Sequence, residues 1–220
     1  MASYFNLTLD TTAPAGVGLK IENGALYTSI VSVVLGISCS DANTTGYSMK
    51  IWGSVEDAAT EDKATWISYA TSKTINLTTG DGLKTVYLKV RDNVYNESVA
   101  VSATITLNTS IPVVTIVGPD TNIISKITGK DTSVFNFTVD QHFVEYKVGV
   151  VPSANSTEAD ATIIGTTGGS ANTSGTGSFD ESKNIQVTIK GADFSDAAGG
   201  ADGTYIVKAF AKNDAGTWSK

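Results

Sequence analysis

The strongest constraint in this chain is a hydrophobic period of two. Residues 30–40, IVSVVLGISCS, place Val31, Val33, Leu35 and Ile37 on one face. Residues 83–91, LKTVYLKVR, set Val86, Leu88 and Val90 against Tyr87, Lys89 and Arg91. Residues 99–107 alternate again through Val99, Val101, Ala103, Ile105 and Leu107. Successive side chains of a strand point to opposite faces, so each segment predicts a half-buried strand with one wet face. Asn23-Gly24, Thr44-Thr45-Gly46, Gly80-Asp81-Gly82 and Asp92-Asn93 interrupt the pattern at short intervals, as turns do. A turn or two near Ser156–Ala161 is the only helix the pattern allows. The expected fold class is all-β with almost no helix: a sandwich or a barrel.

An internal repeat sets the number of domains. LTLDTTAP at residues 7–14 returns as ITLNTSIP at 105–112, an offset of 98. DGLKTVYLKVRDNVYNES at 81–98 lies ungapped on DGTYIVKAFAKNDAGTWS at 202–219, an offset of 121, and polarity and turn chemistry carry that match. SMKIWGSV at 48–55 likewise resembles FVEYKVGVV at 143–151. Two copies of about 100 residues follow, with a boundary near Asn108–Pro112. The second offset exceeds the first by 23 residues, and residues 153–182, rich in Gly, Ser, Thr and Ala, are the expected site of the insertion, as a long surface loop.

Copies that open with DTTAP, carry a tryptophan on the third strand and close with DGLKTVYLKVRDNVYNES resemble bacterial and phage Ig-like domains. The resemblance spans both copies, and implies two tandem Greek-key sandwiches of about seven strands each. It places Cys39 and Trp52 where an Ig domain has its first cysteine and its core tryptophan. The second cysteine is absent, as in a protein folded in a reducing compartment. Such domains serve adhesion, spacing and capsid or tail decoration, so the fold alone does not choose among these roles.

Strand bookkeeping adds an expectation about assembly. In copy one the RDNVYNES turn leads into residues 99–108, a closing strand; in copy two the matching turn ends at Ser219. At the other end, residues 4–10 align at offset 98 with residues 102–108. The expected division is therefore an N-terminal strand at 1–13, a first sandwich at 14–110, and a second at 111–220 without an evident last strand. A missing strand leaves an open edge around Tyr205, Val207 and Ala209, and an open edge accepts a strand from elsewhere. Tyr4, Phe5, Leu7 and Leu9 are the candidate donor residues, with Phe5, Leu7 and Leu9 facing inward. Three readings stay open: donation to another copy, pairing of residues 4–10 within their own domain, and pairing with a different virion protein.

Composition excludes most chemistry. One histidine and one cysteine rule out a multi-His or CxxC metal site and an intrachain disulfide. Net charge −7 without a basic run argues against nucleic acid. His142 reads as a surface or turn residue and Cys39 as a buried, inert thiol. Glu56, Asp57, Glu61 and Asp62 read as a solvated acidic loop rather than a pair of catalytic carboxylates. Gly80 and Gly82 precede no helix and no GK[ST], so they form no phosphate loop. Asp10, Asp41, Asp92 and Asn93 lie near strand ends where calcium is conceivable, but all are ordinary turn formers and no cofactor or metal is expected. Eight N-x-[ST] sequons, from Asn6 to Asn172, follow from Asn, Ser and Thr richness. Trp66, Tyr69 and Trp218 are candidate sugar-contacting aromatics that equally suit the covering of sandwich edges.

The N-terminus, MASYFNLTLD, has no basic segment and no apolar core, so no secretory signal is expected, and no run of about 18 apolar residues spans a membrane. Together with the resemblance, these readings lead to a non-enzymatic phage virion protein (capsid decoration, head fibre or tail-associated), made in the host cytoplasm. Its expected partners are virion proteins and copies of itself, with no membrane and no nucleic acid. The alternative is a carbohydrate-binding or adhesion module that meets a glycan on a bacterial surface.

Overall fold

The computed structural model describes residues 3–40 and 46–220. Asp41, Asn43 and most of the Thr44–Gly46 turn lie outside the described residues. The chain divides into two compact units, Met1–Asn108 and Thr109–Lys220.

Unit 1 carries eight strands: β1 (Ala15–Ile21), β2 (Tyr27–Thr28), β3 (Ser32–Ser40), β4 (Ser48–Gly53), β5 (Ile67–Ser68), β6 (Ser72–Asn76), β7 (Gly82–Arg91) and β8 (Val101–Leu107). One sheet has the order β1-β3-β6 and the other β2-β8-β7-β4-β5. All pairs are antiparallel except the short β2–β8 pair. The alternation expected from sequence defines the core: Val33, Leu35 and Ile37 from one sheet meet Val86, Leu88 and Val90 from the other. Burying these branched side chains is the main driving force, about 1.5–3 kcal/mol each.

Unit 2 repeats the plan with β9 (Val114–Val117), β10 (Thr132–Val139), β11 (Phe143–Val151), β12 (Thr162–Ile163), β13 (Ser174–Phe179), β14 (Ile185–Lys190), helix α1 (Gly191–Ala197) and β15 (Ile206–Lys212). β10 pairs with β9 and β14 in one sheet; β11 pairs with β12, β13 and β15 in the other. The core is aromatic, with Phe137, Phe143 and Phe210 fully buried, and Phe143 stacks on Phe179 at 4.8 Å.

Several expectations need correction. Residues 3–14 form no strand, so the N-terminal strand at 1–13 does not pair within its own unit among the described residues. The inserted segment 153–182 is not one loop: it holds a single 3-10 turn, Glu158–Asp160, and the strands β12 and β13, both laid on β11. Paired backbone groups let a segment poor in apolar residues stay ordered. Helix α1 was invisible because GADFSDA has no helical stripe. It is held instead by Asp193, whose carboxylate accepts the backbone N–H groups of Gly168 and Ser170. Trp52 is buried, as a core tryptophan should be, but stands outside the main core cluster. It sits opposite Tyr87 and stacks on it at 5.6 Å, while Met49 and Ile51 enter the core. Val99 lies before β8 and is 82% exposed.

Candidate assembly site

Unit 1 shows the closed form of the sandwich edge. Strand β8 lies antiparallel on β7 from Gly82↔Leu107 to Leu88↔Val101. Its inward Ile105 and Leu107 are 1% exposed, and Val101 and Ala103 pack against the same core. The strand closes the gap beside β1 and covers the edge of β7.

The turns that end β7 and β15 share a set of hydrogen bonds at offset 121. Ser98 donates its N–H to the Val90 carbonyl at 2.8 Å, and Ser219 does so to Ala211 at 2.8 Å. The Val90 N–H returns to Ser98 Oγ at 3.1 Å, and the Ala211 N–H to Ser219 Oγ at 3.1 Å. Asp92 Oδ1 accepts the Asn96 N–H at 2.9 Å, and Asn213 Oδ1 accepts the Thr217 N–H at 2.9 Å. Val86, Leu88 and Val90 therefore correspond to Val207, Ala209 and Ala211.

The edges themselves differ. Beyond β11, β15 pairs only through the bridge Lys212↔Trp218 among the described residues. Val86 is fully buried, but its counterpart Val207 is only half-buried. β1 buries Ile21 at 1% exposure, whereas β9 leaves Ile116 at 42%. Between β9 and β15 runs an apolar groove of about 260 Å³, lined by Ile116, Phe135, Ile189, Phe194, Tyr205 and Val207 among others. Of the three residues named from sequence for this edge, Val207 and Ala209 lie on β15, and Tyr205 precedes it at the mouth of the groove.

The donor residues named from sequence are as exposed as side chains become: Tyr4 90%, Phe5 84%, Leu7 86% and Leu9 86%. The chain is first held at Asp10, whose carbonyl accepts the Asn96 side-chain amide at 3.4 Å. In unit 2 the Asn213 amide holds the Ser110 carbonyl in the same way, at 2.9 Å. Each corner turn thus grips the linker that enters its own unit.

One constellation escaped the sequence reading. His142 Nδ1 lies 2.7 Å from Asp214 Oδ2, and its Nε2 lies 2.9 Å from Ser178 Oγ. The three are 36 and 72 residues apart, so no local motif could reveal them. Ser178 stands exposed on β13 and takes no part in lining the groove. A serine hydrolase needs a cleft and oxyanion donors around that arrangement. As placed, the trio ties β13 to the turn after β15.

The aromatic candidates are divided between the units. Trp66 and Tyr69 belong to unit 1 and Trp218 to unit 2. Arg91 and Lys50 lie over the Trp66 ring at 4.3 and 5.0 Å, and Lys147 and Lys212 over the Trp218 ring at 4.9 and 5.5 Å. Tyr69 packs edge-on against Tyr47 at 5.7 Å. Burial and the Cys39 thiol beside it push the Tyr69 hydroxyl up to about 12. Cys39 is half-buried against the core. Among the described residues no three His, Cys, Asp or Glu side chains are grouped to hold a metal ion, and no helix is long and apolar enough to cross a membrane.

No protein-family model matches the sequence, and no curated protein matches it. Solved structures with a similar course include the fibronectin(III)-like modules of Clostridium thermocellum CbhA, at 11% identity and TM-score 0.48, covering 92% of this chain and 90% of that one. The D00-D0 domain of Intimin aligns at 15% identity and TM-score 0.33, covering 88% and 91%. Carbohydrate-binding modules of a β-sandwich superfamily align at 10% identity and TM-score 0.36, covering 96% and 100%. The chain is an all-β protein of two tandem β-sheet units with little helix.

Proposed function

We propose that this chain is a non-enzymatic structural subunit of a bacteriophage virion, a capsid decoration, head-fibre or tail-associated protein that assembles through its Ig-like units. The observation that carries the reading is the apolar groove between β9 and β15, beside an edge of β15 that is largely unpaired among the described residues. An uncovered edge next to exposed apolar surface is a liability for a free domain and an asset for an assembling one.

Mass spectrometry of phage particles purified by density gradient tests the reading. Recovery of the chain in stoichiometric amounts with the particle is expected; its absence from particles would overturn the proposal. A glycan array probed with the isolated chain tests the alternative, an adhesion module, for which Trp66 and Trp218 would have to give up the cations that lie over them.

A further inference from the structure

We propose that the outer face of unit 1 carries a site for a sugar carboxylate, a uronic acid of an acidic polysaccharide, centred on Arg91. The proposal goes beyond assembly and stands on unit 1 alone, with unit 2 as the comparison. At offset 121 Arg91 corresponds to Lys212, and the strand registers then set Ser48 against Glu145 and Lys50 against Lys147. Each pair of cations lies over one indole: Arg91 and Lys50 over Trp66, Lys212 and Lys147 over Trp218. In unit 2 that charge is neutralised, with Lys212 at 3.3 Å from Glu145 and Lys147 at 2.6 Å from Glu158. In unit 1 Ser48 stands where the glutamate would be. The neighbouring Glu61 and Glu97 are both taken by Lys89, and neither Arg91 nor Lys50 has an ion pair among the described residues. Arg91 Nε is buried without a hydrogen-bond partner. Two cations that share one ring and lack a counter-ion, in a chain of net charge −7, are complementary to an anion.

A second difference between the units points the same way. The turn after each strand holds one residue in the left-handed region, Gly216 at φ 82° in unit 2 and Tyr95 at φ 69° in unit 1. A tyrosine is disfavoured there, and strain of this kind gathers at functional sites. The Tyr95 ring is 68% exposed and its centroid lies 4.5 Å from the Arg91 guanidinium carbon. Trp66 approaches the same carbon at 4.3 Å, so two rings hold the guanidinium in place before any ligand arrives. Ser48 and Ser68 continue the row from Arg91 across β4 and β5 on the same face. Neither hydroxyl makes a hydrogen bond among the described residues. Cations for a carboxylate, free hydroxyls, and a flat ring for the C–H face of a pyranose together suit an acidic sugar. An acidic protein side chain would use only the first of these. Trp66 keeps its cations in this arrangement, because they and not the indole meet the ligand.

The test is a titration of the full chain with a galacturonic acid hexamer, followed by NMR shifts of the Arg91 and Tyr95 amides. Saturable shifts that weaken with added salt are expected, and the methyl-esterified hexamer, the same sugar without its charge, should give none. Ser48→Glu supplies the partner that Lys212 already has, and should weaken binding by about 10-fold or more with the fold intact. Tyr95→Gly adopts the residue of unit 2, and should raise the melting temperature of unit 1 while weakening binding, a combination that a purely structural tyrosine would not give. Lys212→Gln should leave binding unchanged. No shifts at millimolar hexamer would overturn the proposal, as would equal binding of the ester or unchanged binding by Ser48→Glu. Equal binding of a poly-glutamate peptide would overturn the choice of a sugar and make the site one for an acidic protein. None of these outcomes bears on recovery of the chain with phage particles, so the virion reading stands or falls separately.

Discussion

At the scale of single residues, the corner turns show how little identity a shared structure needs. Asp92 and Asn213 do one job: both are buried, and both accept backbone N–H groups of the turn that follows. Burial alone would raise the Asp92 carboxyl, but hydrogen bonds from Asn96, Val94 and Tyr95 outweigh it and hold the carboxyl below its ordinary 3.8. A depressed folded value means that its stabilisation is present above pH 3.8 and is lost as pH falls through that lower value. Asp92→Asn, the residue unit 2 already uses, should keep the turn at pH 7 and weaken the acid-side loss, read by urea unfolding from pH 2 to 7. Asp92→Ala should cost about 1–3 kcal/mol, because the turn donors are left buried and unpaired. Tyr69 works at the other end of the scale. Its hydroxyl is raised from 10 to about 12, so its contribution is intact below pH 10 and disappears as pH climbs through 12. Tyr69→Phe should flatten that alkaline slope.

At the scale of elements, unit 2 holds its insertion by polar anchors rather than by a larger core. Asp193 at the start of α1 gathers the N–H groups of Gly168 and Ser170, and the Ser170 hydroxyl accepts the Lys190 N–H at 2.8 Å. At Gly191, the first residue of the helix, a Cβ would collide with the Ser125 carbonyl oxygen. Gly191→Ala should therefore destabilise unit 2 by about 1–3 kcal/mol or more through forced backbone movement, measured by chemical denaturation. The Ser178–His142–Asp214 trio belongs to the same class of anchors. Ser178→Ala should leave hydrolysis of a p-nitrophenyl ester at the buffer rate in both wild type and variant; a rate above buffer that the substitution abolishes would establish a hydrolase.

At the scale of the whole molecule, two cores made of separate residues predict two separable transitions. One core gathers residues only from unit 1 and the other only from unit 2. Scanning calorimetry of Gly191→Ala should lower one transition and leave the other in place. Assembly through the edge of β15 should raise the unit 2 transition with protein concentration, since a partner that binds only the folded form stabilises it by mass action.

Alternation made the fold class legible, because burying one face of a strand forces period two on its residues. The repeat also exposed the correspondence of β7 with β15, since a turn needs acceptors and donors at fixed spacing more than it needs identical residues. The strand that carries Val207 and Ala209 could be named from these two regularities alone. The resemblance placed Trp52 inside, and it is buried, but beside Tyr87 rather than with Met49 and Ile51 in the main cluster, a choice between faces that alternation leaves open. It was also blind to α1, to β12 and β13, and to the contact of His142 with Ser178 and Asp214. Those depend on hydrogen bonds between residues distant in the chain, and such partners meet only when the sheets close around a core.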